Sequence, residues 1–353
     1  MAPFAPPLEP MLAQAQEEIP VGEGFSYEPK WDGFRCIVFR DGSSVHLSSR
    51  NGQPLQRYFP EVVDALASAL PERCVVDGEI ILPGERGLDF DALQARIHPA
   101  ASRVQRLSKE TPAGFVAFDL LALGDVDWRE RPGAERRTEL VRVVTSSERV
   151  FVTPQTKDVE VARRWFRDFE GAGCDGVIAR RDELPYLPGK RVMVKVKHHR
   201  TADCVVGAYR EGKTKGTVGS LLLGLYGDDG VLHHVGHTSS FTAKEKRELK
   251  EKLAPLEGGA SFGGGRTPDA PSRWSKKKDE EPTWVALEPS LVCEVRYDYL
   301  QGPRFRHATT FLRWRPDKAP KDCTFSQLLP PHPFSLSAIV ALGRGGQGVA
   351  AAR

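Results

Sequence analysis

Residues 28–35 read EPKWDGFR, and residues 194–197 read VKVK. The first stretch places Lys30 two positions before Asp32, with Gly33 next and Arg35 soon after. Lysine is ordinarily a solvated surface charge. A lysine that acts as a nucleophile needs cations nearby for phosphates, acids for a metal and a pocket for a nucleotide. Such groups should stand where strands would otherwise carry apolar residues. The polar residues in strand-like settings are Lys30, Asp32, Arg35, Arg50, Asp77, Glu79, Asp119, Asp175, Lys195 and Lys197. Burying charges there is costly unless they pair or bind a ligand. This set mixes anions able to hold a divalent metal with cations able to hold phosphates. Phosphoryl or nucleotidyl transfer needs that mixture, because its catalysis is mostly positioning and charge stabilisation.

The rest of the chain frames these residues. At 353 residues it is too long for one ordinary core, so two domains are expected. A hydrophobic content of 40% suits a soluble globular protein, and no apolar run reaches membrane-spanning length. The Pro-rich start, MAPFAPPLEPM, lacks the regions of a secretory leader, so a cytoplasmic protein is expected. Six scattered cysteines at 36, 74, 174, 204, 293 and 323 fit reduced core thiols rather than zinc spacing. Strands are expected through 25–50, at CVVDGEIIL, GFVAFDLLAL and CDGVIARR, and at VMVKVK, whose alternation gives one buried and one charged face. Helices are expected at FPEVVDALASALP, FDALQARI, GAERRTELVRVV and DVEVARRWFRDFEGAG. Beyond residue 198, short strands with glycine turns predict a small β-barrel, with a charged helix at TAKEKRELKEKLAPL and a loop through 258–282. The tail 331–353 is Gly/Ala-rich and is expected to be poorly ordered.

In order, the chain carries KWDG at 30–33, SRNG at 49–52, DGE at 77–79, FVAFDLL at 115–121, DGVIARR at 175–181, VKVK at 194–197 and RPDK at 315–318. A lone KxDG recurs by chance, but seven elements in family order are specific. The chain resembles the covalent nucleotidyltransferases, and within them the ATP-dependent DNA ligases of the short bacterial C type. The resemblance implies an α+β nucleotidyltransferase domain (ATP-grasp-like adenylation, antiparallel sheets) over 1–198, then an OB-fold barrel over 199–330. It also implies a reaction that seals 3′-hydroxyl/5′-phosphate nicks in duplex DNA through a lysyl-AMP, with ATP and Mg²⁺ (or Mn²⁺) as cofactors.

By the same resemblance, Lys30 attacks the α-phosphate, and Lys195 and Lys197 contact that phosphate. Arg35 and Arg50 touch phosphate and ribose, Glu79 holds a ribose hydroxyl, Phe118 stacks on adenine, and Glu28 reads the adenine amino edge. Asp175, in a place where most relatives carry glutamate, holds metal, and Asp32 holds a second metal or orders the lysine loop. Arg315, Asp317 and Lys318 orient the leaving pyrophosphate. A free lysine has a pKa near ~10.4, so the neighbouring cations and partial burial are expected to lower that of Lys30.

Each residue alone has a plainer reading. Lys30 could be an edge-strand lysine, Phe118 a core residue, Asp119 a hydrogen-bonded buried acid, and SKKKDEE at 275–281 a mobile loop. The paired histidines 198–199 and 233–234 lack metal spacing and read as surface or DNA-adjacent. The alternatives to nick sealing are an RNA ligase, a GTP-dependent capping-type transferase, and a non-catalytic DNA-binding protein. Net charge is only +3, but Lys190–Lys215 carries eight Lys/Arg against Asp203 and Glu211, a stretch suited to a phosphate backbone. The expected partners are nicked duplex DNA and repair proteins, with no membrane, for a monomer working at the nucleoid. A short hinge near 198–201 is expected to join the domains and let them rotate.

Overall fold

The computed structural model describes residues 3–85, 87–98, 100–259, 261–263, 284–298, 300–329 and 334–344. Most of the loop expected at 258–282, including SKKKDEE, lies outside the described residues. The chain divides into two compact units, 1–198 with 330–353, and 199–329. It therefore passes between the units twice, at 198–199 and again at 329–330, rather than through a single hinge.

The first unit holds two large sheets and a two-stranded one, Pro83–Gly84 with Gly87–Leu88. One large sheet orders its strands Leu12–Gln16, Arg191–Lys197, Gly176–Arg181 and Phe25–Pro29. The other orders Val150–Val152, Gly114–Leu123, Arg73–Ile81, Phe34–Asp41 and Ser44–Ser49. Pairing is antiparallel except at one edge of each large sheet, where Leu12–Gln16 and Val150–Val152 pair in parallel. The strand Leu12–Gln16 comes from the Pro-rich start, which carried no strand signal.

Periodicity explains the helix Pro60–Ala69. Proline opens it, and Val62, Leu66 and Ala69 repeat on one face, burying themselves with Phe59 against Leu47 and Val76. Glu61 on that helix is buried too. Its carboxylate lies 2.7 Å from Arg96 and accepts from the Ala113 N–H at 3.0 Å, and Arg96 donates to the Tyr58 and Thr111 carbonyls.

Glycines lock the two motif turns. A Cβ on Gly33 would meet the Ile80 carbonyl oxygen at 2.2 Å. Gly176 has φ +139°, and a Cβ there would meet the Val196 oxygen at 2.0 Å. Between these turns, Lys30 donates its N–H to Gly176 at 2.9 Å and accepts from Asp175 at 2.8 Å. The backbone thus fixes Lys30 beside Asp175.

The second unit is a closed barrel of the OB type. Its antiparallel path runs Leu232–Thr238, Val218–Tyr226, Arg200–Glu211, Val292–Tyr297 and Thr310–Trp314, and a Thr238–Thr309 bridge joins the two ends. The helix Ala243–Leu253 starts at a Thr242/Glu245 capping box and buries Leu249 and Leu253. All six cysteines are buried.

The expected tail is also corrected. Residues 334–344 are not a poorly ordered tail: Leu336–Arg344 forms a helix in the first unit. Ile339 is fully buried with Trp31, Phe151 and Phe169, and the Phe334 ring lies 5.1 Å from that of Phe169. Leu336, Ile339 and Val340 recur at helical spacing, and burying that face outweighs the Gly/Ala content around it. The remainder of the expected tail, 331–333 and 345–353, lies outside the described residues. Ile339→Ala should destabilise the first unit by about 2–5 kcal/mol, the range for truncating a buried isoleucine. Denaturant unfolding checks this, and an unchanged midpoint would show that the helix does not pack there.

Candidate active site

A cavity of about 290 Å³ opens in the first unit between the two sheets. Strand alternation sets its charged wall. Met193, Lys195 and Lys197 face the cavity, while Val194 and Val196 point the other way, into a cluster with Tyr27 and Ala162. The opposite sheet contributes Arg35, Glu79 and Phe118, and the adjoining segments contribute Glu28, Lys30, Trp31 and Arg50. Asp175 and Asp32 do not line the cavity, but both act on Lys30. Arg315, Asp317 and Lys318 belong to the second unit.

Lys30 Nζ lies 2.6 Å from Asp175 Oδ2, and Lys197 Nζ lies 3.1 Å from the same oxygen. Burial alone would lower the Lys30 pKa. The ion pair with Asp175 opposes it, joined by Glu79 and Asp32, and the net shift is upward. The expectation that neighbouring cations and burial lower this pKa is therefore corrected, because Asp175, 2.6 Å away, with Glu79 and Asp32 outweighs the effect of burial. Lys195 behaves in the way expected of Lys30. Burial, then Lys197 and Lys30, hold its pKa below the ordinary value. Glu79 is pushed up to about 7 by burial, against the pull of Arg35 and Lys30.

Two further groups are fixed by residues that no local pattern revealed. Arg35 donates to both Asp77 oxygens, from Nε at 2.6 Å and from a terminal nitrogen at 2.5 Å, and Tyr186 donates its hydroxyl to the same carboxylate at 2.7 Å. The Arg35 guanidinium sits 4.9 Å from the centre of the Phe118 ring, so this phenylalanine is both core and cavity wall. Glu28 is 3% exposed and accepts from the Gln155 amide at 2.9 Å, with Arg180 Nε 3.8 Å away. Arg180 also pairs with Asp119 at 3.0 Å, and Asp119 is held by Arg136 at 2.7 Å. Asp119 is accordingly a paired buried acid, as its plainer reading had it. Asp77 and Asp119 are visible as acids in apolar strands, but Tyr186 and Gln155 come from far along the chain, and Arg136 from the helix Gly133–Val143. His234, read as a surface or DNA-adjacent residue, is buried rather than on the surface, beside Arg304 in the barrel.

Among the described residues, no group of three His, Cys, Asp or Glu side chains is disposed to hold a metal. Mg²⁺ differs from zinc in needing only one or two carboxylates when phosphate oxygens and water complete its shell. The acids around Lys30 fit that demand, provided a nucleotide supplies the remaining oxygens.

This arrangement offers a lysine in an ion pair, a wall of further cations, two buried acids and an aromatic face around a nucleotide-sized space. Comparisons with known proteins show the family. Residues 10–197 match the family model "ATP dependent DNA ligase domain", and 214–318 match "ATP dependent DNA ligase C terminal region". The chain is 52% identical to DNA ligase C of Mycobacterium tuberculosis, over 96% of this chain and 98% of that protein. It is 51% identical to DNA ligase C1 of Mycolicibacterium smegmatis, over 95% and 97%. A solved Lig E DNA ligase shares the fold at a TM-score of 0.52 and 20% identity, covering 86% of this chain and 99% of that one. The two domain matches and the near-complete relatives leave one assignment: the chain belongs to the ATP-dependent DNA ligase family.

Proposed function

We propose that the protein is an ATP-dependent DNA ligase whose Lys30 carries AMP between ATP and a nick in duplex DNA. The observation that carries this reading is the placement of Lys30 at one cavity wall with Lys195, Lys197, Arg35, Glu79 and Phe118. Family membership favours it over the RNA-ligase, capping-type and non-catalytic alternatives. In the first step the Lys30 amine attacks the α-phosphorus; a P–N bond forms and the bond to pyrophosphate breaks. The AMP then passes to the 5′-phosphate of the nick, and the 3′-hydroxyl displaces it.

The residues divide the work by chemistry. Glu28, held as an acceptor by Gln155, suits the adenine amino edge, and Phe118 offers its face to the base. Glu79 suits a ribose hydroxyl. Arg35, Arg50, Lys195 and Lys197 suit phosphate and ribose oxygens. Arg315, Asp317 and Lys318 of the barrel serve the leaving pyrophosphate. The Lys30 amine reacts only when uncharged, and Asp175 opposes that state. Any cation that draws Asp175 away favours the reactive amine, and Lys197, on the same oxygen, is the one the chain itself supplies. Asp175 and Asp32 would hold Mg²⁺ or Mn²⁺ together with the nucleotide phosphates, where the metal would neutralise charge developing on pyrophosphate.

No helix among the described residues is long and apolar enough to cross a membrane. We infer a monomer that meets its DNA at the nucleoid and works with repair proteins. Rotation of the two units between nucleotide charging and nick sealing belongs to the same proposal.

Two outcomes test it. With α-labelled ATP and Mg²⁺, Lys30→Ala should take up no acid-stable label and seal no ordinary nick, whereas the parent does both; label on the variant would refute the assignment. The second concerns pH. The Glu79 pKa is about 7 in the fold against an ordinary 4.5, so folding favours its protonated form. That stabilisation is whole below the ordinary value and is lost as pH rises through about 7. Glu79→Gln stays neutral throughout. Its stability relative to the parent should therefore climb between those pH values in denaturant titrations, and a pH-independent difference would contradict the raised pKa.

A further inference from the structure

The RPDK segment presents its two cations on a turn after the strand Thr310–Trp314. Both reach the same acid. Arg315 donates to Asp203 Oδ1 at 2.8 Å, and Lys318 Nζ lies 3.3 Å from Asp203 Oδ2. Asp203 belongs to the strand Arg200–Glu211, more than a hundred residues earlier, and entered the sequence reading only as a counter-charge in a basic run. Its backbone is pinned as well. Gln327 accepts from the Asp203 N–H at 2.8 Å and donates to the Asp203 carbonyl at 3.1 Å. Asp317 also binds Arg315, at 2.8–3.1 Å, but it is 61% exposed and sits on the same turn, so it cannot fix that turn to the barrel.

Stability does not explain the arrangement, because ion pairs on partly exposed long side chains contribute little. Geometry offers a better account. A guanidinium has five N–H donors in a rigid fork. Asp317 takes Nε and one hydrogen of a terminal nitrogen, and Asp203 takes one hydrogen of the other. The second hydrogen on each terminal nitrogen stays available for a ligand oxygen. Lys318, with three donors, keeps the rest of its ammonium in the same way. Holding two flexible cations on one rigid carboxylate removes rotamer freedom before the ligand arrives, which strengthens binding without adding a contact.

We propose that Asp203 is a positioning residue for adenylation: it aims Arg315 and Lys318 at the departing pyrophosphate, with Gln327 holding Asp203 in place. This rests on the reading that Arg315 and Lys318 serve the first step. Sealing of a nick that already carries AMP on its 5′-phosphate releases no pyrophosphate, so it should not need the device.

Asp203→Asn keeps the shape, removes the charge and turns an amide toward one cation. Single-turnover adenylation by ATP should then show a KM raised about tenfold, the scale of one charge-assisted hydrogen bond. Sealing of pre-adenylated nicked DNA should stay within about twofold of the parent, the tolerance for a step that lacks the interaction, and this also reports that the variant folds. Added to Arg315→Ala, the substitution should cost less than it does in the parent, since coupled residues are not additive and only the Lys318 contact then remains to be lost. An equal loss in both steps, an unchanged or lowered KM, or full additivity with Arg315→Ala would overturn the positioning role. Arg315→Ala alone separates the underlying reading: if it leaves adenylation intact, the assignment of the RPDK cations fails with it.

Discussion

The ion pair between Lys30 and Asp175 is the constraint on which the rest of the site depends. Two backbone hydrogen bonds tie residue 30 to residues 175 and 176, and the close approaches at Gly33 and Gly176 leave the two turns no room for a side chain. Asp175 then gathers two ammonium groups on one oxygen. The ion pair favours the charged form of the Lys30 amine. On the proposed reading, nucleotide binding would change the surroundings of Asp175 before the amine could react, and the cations of the cavity wall would both position phosphate and compete for the acid that restrains the lysine.

Around this pair, buried charges come in satisfied sets. Arg35 is braced by Asp77 and Tyr186, Glu28 by Gln155, and Asp119 by Arg136 and Arg180. A buried ion pair adds little net stability, but breaking one leaves an expensive lone charge. These sets are therefore better understood as fixing direction than as strengthening the fold. Glu79 is the exception within the cavity. Its raised pKa marks a carboxyl that burial disfavours as an anion, and a ribose hydroxyl would give it a partner.

Much of this site was legible in the sequence, for a definable reason. The wall residues sit in short strand-end patterns, where an acid or a base in an apolar run stands out, and strand alternation places Lys195 and Lys197 on one face. What was not legible depended on distance along the chain. The sign of the Lys30 shift turned on how closely Asp175 approaches, which spacing does not encode. Tyr186, Gln155 and Gln327 carry no local mark, because each acts on a residue more than a hundred positions away. The strand Leu12–Gln16 hid in a proline-rich start. The helix Leu336–Arg344 is different: its apolar spacing is present in the sequence, and the Gly/Ala content around it masks the period.

The sharpest tension in this account is chemical. Lys195 has the lowered pKa and Lys30 the raised one, so intrinsic basicity alone would favour Lys195 as the nucleophile. Position argues for Lys30, which the backbone holds at the motif turn. Peptide mapping by mass spectrometry of the protein after reaction with ATP decides between them. The account predicts AMP on the peptide carrying Lys30 and none on those carrying Lys195 or Lys197. AMP on Lys195 with Lys30 unmodified would contradict it.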